Sequence, residues 1–423
     1  MKRVLIITYY WPPNGGAGVQ RWLKFVKYLP QHGWQPVVYT PEDAELIVLD
    51  PDGARDVPKE AEVIKRPIRE PYSLYKWITG RKGEKVHTGF LSETKDRSSV
   101  LDRLAVWVRG NLFIPDARVG WVRPSVRFLQ EYLKDHPVDL IVSTGPPHSM
   151  HLIAMGLKRR MELPWIADFR DPWTNIDFYH QLKLTARADA KHRQLERDVL
   201  SEADLTLSVG WSMGEELKAL GARRVEVITN GFDPDDLPET RDPASGITLT
   251  HVGTMNAARN APELWRTLST LCQRDPGFAA AFRLRLLGAV DHSVLQGIED
   301  SGLAGQVERV PHVDHRKAME EMQRASALLL VINDTPNAKG ILTSKLFEYL
   351  ATGKPMVAVA PKDGDAARVL KTTSALLVDH GELVDPDTLL AQLKAAPSEA
   401  AADRYSRKEL TGRLVELMNE LAG

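Results

Sequence analysis

Short runs of β-branched and aliphatic residues recur along the whole 423-residue chain, each followed by a longer stretch with helical spacing. This alternation calls for parallel sheets covered by helices on both faces, an α/β fold. Val4–Thr8 reads as a buried strand, followed by a Gly-rich loop, a helix from about Val19 to Gln31 closed by Gly33, and a second strand at Pro36–Tyr39. Leu140–Ser143, Trp165–Ala167, Leu205–Val209 and Val225–Thr229 continue the series. The tract Phe232 to Ser245 is rich in Asp and Pro and nearly free of apolar residues, which marks a linker. The pattern then restarts, with strands expected at Ile247–Val252, Phe282–Leu287, Val307–Val310, Ala327–Ile332, Pro355–Val359 and Ala375–Val378. The expected division is therefore a domain over residues 1–232, a linker over 233–245, a second domain over 246–400, and a C-terminal helix over 401–423.

A formal net charge of -1 argues against a dedicated nucleic-acid binder, which carries a basic excess. Charge is uneven, however: Ala61 to Ser125 holds 13 Lys/Arg against 7 Asp/Glu, so one face can be basic while the whole is neutral. The single cysteine, Cys272, excludes an intramolecular disulfide and a Cys-rich metal site, and reads as a small packing residue of a helix. The apolar run after Met1-Lys2-Arg3 is too short for the core of a signal peptide, and no stretch approaches the roughly 20 apolar residues of a membrane span. A soluble, cytoplasmic protein is the expectation.

In open parallel sheets ligands gather at the carboxyl ends of strands, so the loops that follow them are where chemistry is sought. The first strand leads into Gly15-Gly16-Ala17-Gly18, where glycine lets backbone N–H groups approach a phosphate or sugar. A dinucleotide fingerprint is only half matched, because Arg21 stands where a third small residue is needed. Thr144-Gly145-Pro146-Pro147-His148 follows another strand, and His148 or His151 is a candidate proton carrier or a hydrogen-bonded packing residue. Asp168-Phe169-Arg170-Asp171 sets three charges after an apolar strand, either as a structural ion pair or for recognising an acceptor sugar. Asn230-Gly231 favours a tight turn.

In the second half Gly253 and Thr254 close a strand, and Asn260 with Glu263 matches a capping box. Arg259 supplies a cation beside them for a diphosphate. The most informative segment is Lys339 to Pro355. Thr343 or Ser344 caps a helix whose first turn carries Lys345 and, three residues on, Glu348. The dipole end and Lys345 suit a diphosphate, and Glu348 suits ribose hydroxyls; as a plain surface ion pair the two would contribute little.

Taken together, Gly15–Gly18, Asn230-Gly231, His251–Thr254 and above all Ser344–Pro355 resemble the retaining glycosyltransferases of family 4, over essentially the whole chain. The resemblance implies a GT-B fold, two Rossmann-like domains facing across a cleft, with a last helix crossing back to the first domain. It implies transfer from a UDP- or GDP-linked sugar to a glycan or lipid-linked acceptor in bacterial cell-surface polysaccharide assembly, with no metal and no cofactor beyond that co-substrate. Glu348 matches the second acid of the family's Glu-x7-Glu motif, which holds the ribose, while Arg259 and Lys345 fall near the two cations that neutralise the departing diphosphate. Donor contacts are thus expected from Gly16, Gly253, Thr254, Arg259, Gly340, Ser344, Lys345 and Glu348, and acceptor contacts from Gly15, Gly18, His148, Asp168 and Arg170. Arg170 and Asp171 occupy the neighbourhood of a family histidine, which makes Asp171 a catalytic candidate with Arg259 and Lys345. The chain departs from the motif at its first acid, where it has Gly340.

Val100, Leu101, Leu104, Ala105, Val108, Trp107 and Leu112 give one further helix an apolar stripe flanked by Arg97, Arg103 and Arg109. That stripe faces either the core or an anionic membrane at the inner face, close to a lipid-linked acceptor. Rival readings are a non-hydrolysing nucleotide-sugar 2-epimerase, which would use Asp168 and Asp171 as acid and base, a non-catalytic nucleotide-sugar-binding relative, and last an NAD-dependent oxidoreductase.

Overall fold

The computed structural model describes residues 1–44, 49–50, 52–68, 107–108, 110–176, 179–238, 246–398 and 402–423. They divide into two compact units. The first comprises Met1–Val209, Met213–Ile228 and Thr411–Gly423, and the second Gly210–Ser212 and Thr229–Leu410.

The first unit is organised by seven strands: β1 (Lys2–Ile7), β2 (Trp34–Pro41), β3 (Glu62–Arg66), β4 (Leu140–Gly145), β5 (Trp165–Phe169), β6 (Leu205–Ser208) and β7 (Val225–Val227). They lie in the order β3-β2-β1-β4-β5-β6-β7, with every neighbouring pair parallel. Val4, Leu5, Ile6 and Ile7 are fully buried, as the central strand of a sheet covered on both faces must be. The strand order reverses direction between β1 and β4, and the carboxyl ends there form the switch point where such sheets take ligands. Helix α1 (Ala17–Tyr28) starts two residues before the expected Val19, because Gly16, at φ 88°, turns the chain directly into it. Strand β3 has no counterpart among the sequence expectations: Glu62-Val63-Ile64-Lys65-Arg66 is a half-exposed edge strand whose charges mask its apolar residues.

The second unit repeats the plan with six strands: β8 (Ile247–Val252), β9 (Phe282–Leu287), β10 (Val307–Val310), β11 (Ala327–Val331), β12 (Met356–Val359) and β13 (Leu376–Val378). Their order is β10-β9-β8-β11-β12-β13, again all parallel, so the switch point lies between β8 and β11. Two stretches beyond it matter below: helix α2 (His315–Arg324), which follows β10, and helix α3 (Ser344–Ala351), which follows β11.

The C-terminal helix α4 runs from Arg407 to Ala422, and its residues from Thr411 onward count with the first unit. There Trp34 Nε1 donates to Asn419 Oδ1 at 3.2 Å, Arg224 pairs with Glu420 at 2.9 Å, and Leu414 and Met418 are fully buried. Of the linker, Pro234–Asp236 forms one 3-10 turn capped by the Asp233 carboxylate, and 239–245 lie outside the described residues. The amphipathic helix expected around Val100–Leu112 also falls there for the most part, with Arg97, Arg103 and Arg109. Among the described residues no helix is long and apolar enough to cross a membrane.

Candidate functional site

At the switch point of the first unit the loops after β1, β4 and β5 meet. Gly15 is required by close approach: a Cβ there would lie 2.6 Å from the Asp50 Cβ. Gly18 leaves room for Tyr10 and for Arg170, whose Nη1 donates to the Gly18 carbonyl at 2.6 Å. Arg170 also donates to the Gly145 carbonyl at 3.4 Å and, more closely, to that of Pro146, so its guanidinium ties three loops together. Asp168 is wholly buried. Arg21 Nη2 pairs with it at 2.9 Å, Trp22 Nε1 donates to it at 2.7 Å and the Thr144 hydroxyl at 2.8 Å. Burial alone would raise its pKa, yet the Arg21 charge and these donors outweigh that, and the carboxyl stays below its usual range. This explains why Arg21 interrupts the dinucleotide pattern: helix α1 uses that position to reach β5.

His148 is buried and stacks on Trp173 with ring centroids 4.5 Å apart. His151 is buried as well, with Nδ1 2.8 Å from the Ser143 hydroxyl. Desolvation holds His148 neutral and pushes His151 down to about 3. Asp171, by contrast, is exposed; desolvation raises its pKa and Arg170 opposes the rise.

The second unit gathers its charges differently. Gly253, at φ 126°, turns the chain out of β8 and brings Thr254 to the surface. Arg259 Nε donates to Asn333 Oδ1 at 2.7 Å and its Nη1 to the Thr254 carbonyl at 2.6 Å, so the guanidinium bridges the loops after β8 and β11 across the switch point. Lys345 and Glu348, in the first turns of α3, form an ion pair of 2.6 Å. The carboxylate is 15% exposed, and its other oxygen lies 3.4 Å from His315 Nε2 at the start of α2. Burial would raise the pKa of Glu348, but His315 and Lys345 hold it below the usual value. His251 is buried beneath this group, with Nδ1 3.1 Å from the Leu329 carbonyl, and burial pushes it down to about 4. Tyr349 accepts from the Val252 amide at 2.8 Å, which docks α3 onto the end of β8.

The structure thus brings Gly253, Thr254, Arg259, Lys345 and Glu348 to one switch point, and Gly15, Gly18, Asp168, Arg170 and Asp171 to the other. Gly16 caps α1, and Ser344 is the exposed first residue of α3. Gly340 ends a 3-10 turn (Ala338–Gly340) three residues before Thr343. Its φ is not positive, and a Cβ there would meet only the Ser212 Cβ at 3.4 Å, so the backbone does not demand glycine.

Three local expectations are corrected. Asn260 does not cap a helix: the cap position is Ala261, and Asn260 Oδ1 instead accepts from Trp265 Nε1 at 2.8 Å. Asn230-Gly231 is not a tight turn; glycine is needed because a Cβ would fall 2.1 Å from the Tyr405 carbonyl. Thr343 occupies the cap position of α3, but its hydroxyl makes no capping bond. His315, Asn333 and Tyr349 were not singled out from the sequence. Only Tyr349 lies in a segment whose pattern marked it; the other two come from a distant helix start and a distant loop and carry no local signal.

A family model described as a glycosyl transferase 4-like domain matches residues 15–231. No curated protein sequence matches the chain significantly. Among solved structures, it is similar to a glycosyltransferase from Rickettsia africae ESF-5, with TM-score 0.61, 12% identity and coverage of 99% of this chain and 98% of that one. A sucrose-phosphate synthase from Thermosynechococcus elongatus gives TM-score 0.57, 14% identity and coverage of 100% and 99%. A trehalose-6-phosphate protein from E. coli bound with UDP-2-fluoro glucose gives TM-score 0.54, 14% identity and coverage of 100% and 97%. At such identities the likeness bears on the fold, two Rossmann-like halves of the GT-B type. The chain belongs to the glycosyl transferase 4-like family.

Proposed function

We propose that this glycosyltransferase moves a sugar from a UDP- or GDP-linked donor to a glycan or lipid-linked acceptor, with retention of configuration and without a metal ion. The carrying observation is the cluster of Arg259, Lys345 and Glu348 at the switch point of the second sheet. Two cations and one carboxylate are the complement of a nucleoside diphosphate sugar: charge for the phosphates, an acceptor for ribose hydroxyls. The fold shared with a protein that holds UDP-2-fluoro glucose supports the same reading.

In this reading the second unit binds the donor and the first selects the acceptor. Leaving-group charge grows on the diphosphate as the glycosidic bond breaks. Arg259 and Lys345 then act on the transition state more than on the ground state, so they govern rate as well as affinity. They also do the electrostatic work that a divalent cation would otherwise do, and chelation should leave activity unchanged. Glu348 holds the ribose, and the departing phosphate oxygen takes the acceptor's proton on the same face of the sugar. Asp171 is an exposed acid beside Arg170 at the first unit's switch point and the candidate for aligning the acceptor hydroxyl. Anomeric analysis of the product by NMR tests the stereochemistry: an inverted product, or a glycosyl group trapped on a side chain, refutes front-face transfer.

The acceptor reading extends to the membrane. Trp107 and Leu112 are 39% and 65% exposed, and the sequence from Ala61 to Ser125 is rich in Lys and Arg, a composition suited to the anionic inner face of a bilayer. Co-sedimentation with vesicles that does not respond to anionic lipid content contradicts it. A second reading, a non-catalytic nucleotide-sugar binder, draws on Gly340, which removes the acid expected to touch the donor sugar; nucleotide binding with no turnover of any donor would favour it. The epimerase reading loses support from Asp168, whose oxygens are already engaged by Arg21, Trp22 and Thr144.

A further inference from the structure

Glu348 is bracketed on both sides. Lys345 Nζ lies 2.6 Å from one carboxylate oxygen and His315 Nε2 3.4 Å from the other. The lysine belongs to the same helix and is its partner by helical spacing, whereas the histidine comes from α2, which follows β10, a strand that β9 and β8 separate from β11 in the sheet order. His315 is held in place by its own helix start, where the Asp314 carboxylate accepts from the Lys317 amide at 2.9 Å. The ring is 57% exposed and Glu348 only 15%, so a group whose charge changes near neutral pH touches a carboxylate that stays ionised.

We infer that His315 is a positioning residue for Glu348 and makes affinity for the nucleotide sugar depend on pH. The inference rests on the reading of Glu348 as the ribose-binding carboxylate. An imidazolium at His315 donates to one lone pair of Glu348 and fixes the carboxylate plane, leaving its remaining lone pairs for two hydroxyls. It also adds a third positive charge near Lys345, where the diphosphate would lie. Both effects favour the donor when His315 is protonated. The charged groups that face it are Glu348 and Lys345 on α3 and Asp236 in the 3-10 turn at Pro234–Asp236. The hydrogen bond to Glu348 is the largest influence and raises the pKa of His315, burial and Lys345 oppose the rise, and Asp236 assists it. The transition is therefore expected above that of a free imidazole.

The test uses UDP-glucose and GDP-mannose as probes, because a phosphodiester-linked diphosphate has no phosphomonoester proton to titrate near pH 6. Dissociation constants are measured by calorimetry from pH 6 to 8.5 for the full chain, His315→Gln and Glu348→Ala. For whichever probe binds, the wild type should weaken by about three- to tenfold across that range, and His315→Gln should be flat at the weaker value. Glutamine keeps a donor but cannot titrate, so a purely structural role for the ring would leave the wild-type slope intact. An unchanged slope in His315→Gln, with Glu348→Ala still weakened, overturns this inference alone. Glu348→Ala binding as tightly as the wild type overturns the reading of the site, and the inference with it.

Discussion

The two switch points present the same topology and opposite handling of charge. In the first unit Asp168 and Arg21 are buried to within 1% of complete, and every oxygen of the carboxylate has a partner of fixed geometry. In the second unit Lys345 is 28% exposed and Glu348 15%, and Arg259 is fixed through one side-chain oxygen and one carbonyl. A buried, saturated pair has already spent its charge on holding strands and helices together. A partly exposed pair at a helix start still has charge to give to a ligand. The comparison teaches that "charged residues after a strand" is two different signals, separated by burial and by whether lone pairs remain.

That contrast can be broken first where the effect is greatest. Asp168→Ala removes the carboxylate of a buried ion pair with Arg21 and should cost about 3–5 kcal/mol of stability in denaturant unfolding. If the comparison holds, calorimetry on the surviving folded fraction still finds the wild-type affinity for the nucleotide. Lys345→Ala or Arg259→Ala should do the reverse, lowering kcat by about 10²–10³-fold by analogy with lost oxyanion donors while leaving the melting temperature nearly unchanged. A large kcat loss from the first variant, or a large stability loss from the others, erases the distinction. Glu348→Ala should follow, with a Kd about tenfold weaker from the loss of charge-assisted bonds.

Acid sharpens the same comparison, because each unit carries a buried neutral histidine at its switch point. His151 and His251 titrate at about 3 and about 4 when folded, against 6.5 when free. Their folded pKa values lie below the unfolded ones, so below pH 6.5 the unfolded chain binds more protons. Stability is therefore lost as pH falls below 6.5, each histidine contributing a slope of at most about 1.4 kcal/mol per pH unit. Replacing either by glutamine should flatten that slope below pH 6.5 in urea melts. Asp168 adds to the acid loss only lower, as pH falls through its depressed folded pKa. The smallest expected effect is that of Gly340→Glu, which the backbone tolerates and which should leave the melting temperature within about two degrees; its readout is donor preference.

The sheet plan was legible because strand runs and loop chemistry are local. Ile247–Val252, Phe282–Leu287 and Val307–Val310 are found at the expected residues. Strand β3 escaped because an edge strand half in solvent needs no apolar run, and its Glu and Lys read as a loop. Lys345 and Glu348 stood out because three-residue spacing on a helix is visible in sequence. His315 and Asn333 did not, since the helix start and the loop that deliver them reach the site only through strand order. Asn260 shows the opposite failure: a capping pattern was present, and packing against Trp265 took the side chain elsewhere.

A second-unit cluster suited to a nucleoside diphosphate has a direct test in thermal melting against UDP, GDP, ADP and NAD, in the wild type and in Glu348→Ala. UDP or GDP should stabilise the wild type, and the shift should shrink in the variant. Stabilisation by NAD alone, or equal shifts in both proteins, contradicts that reading of the cluster.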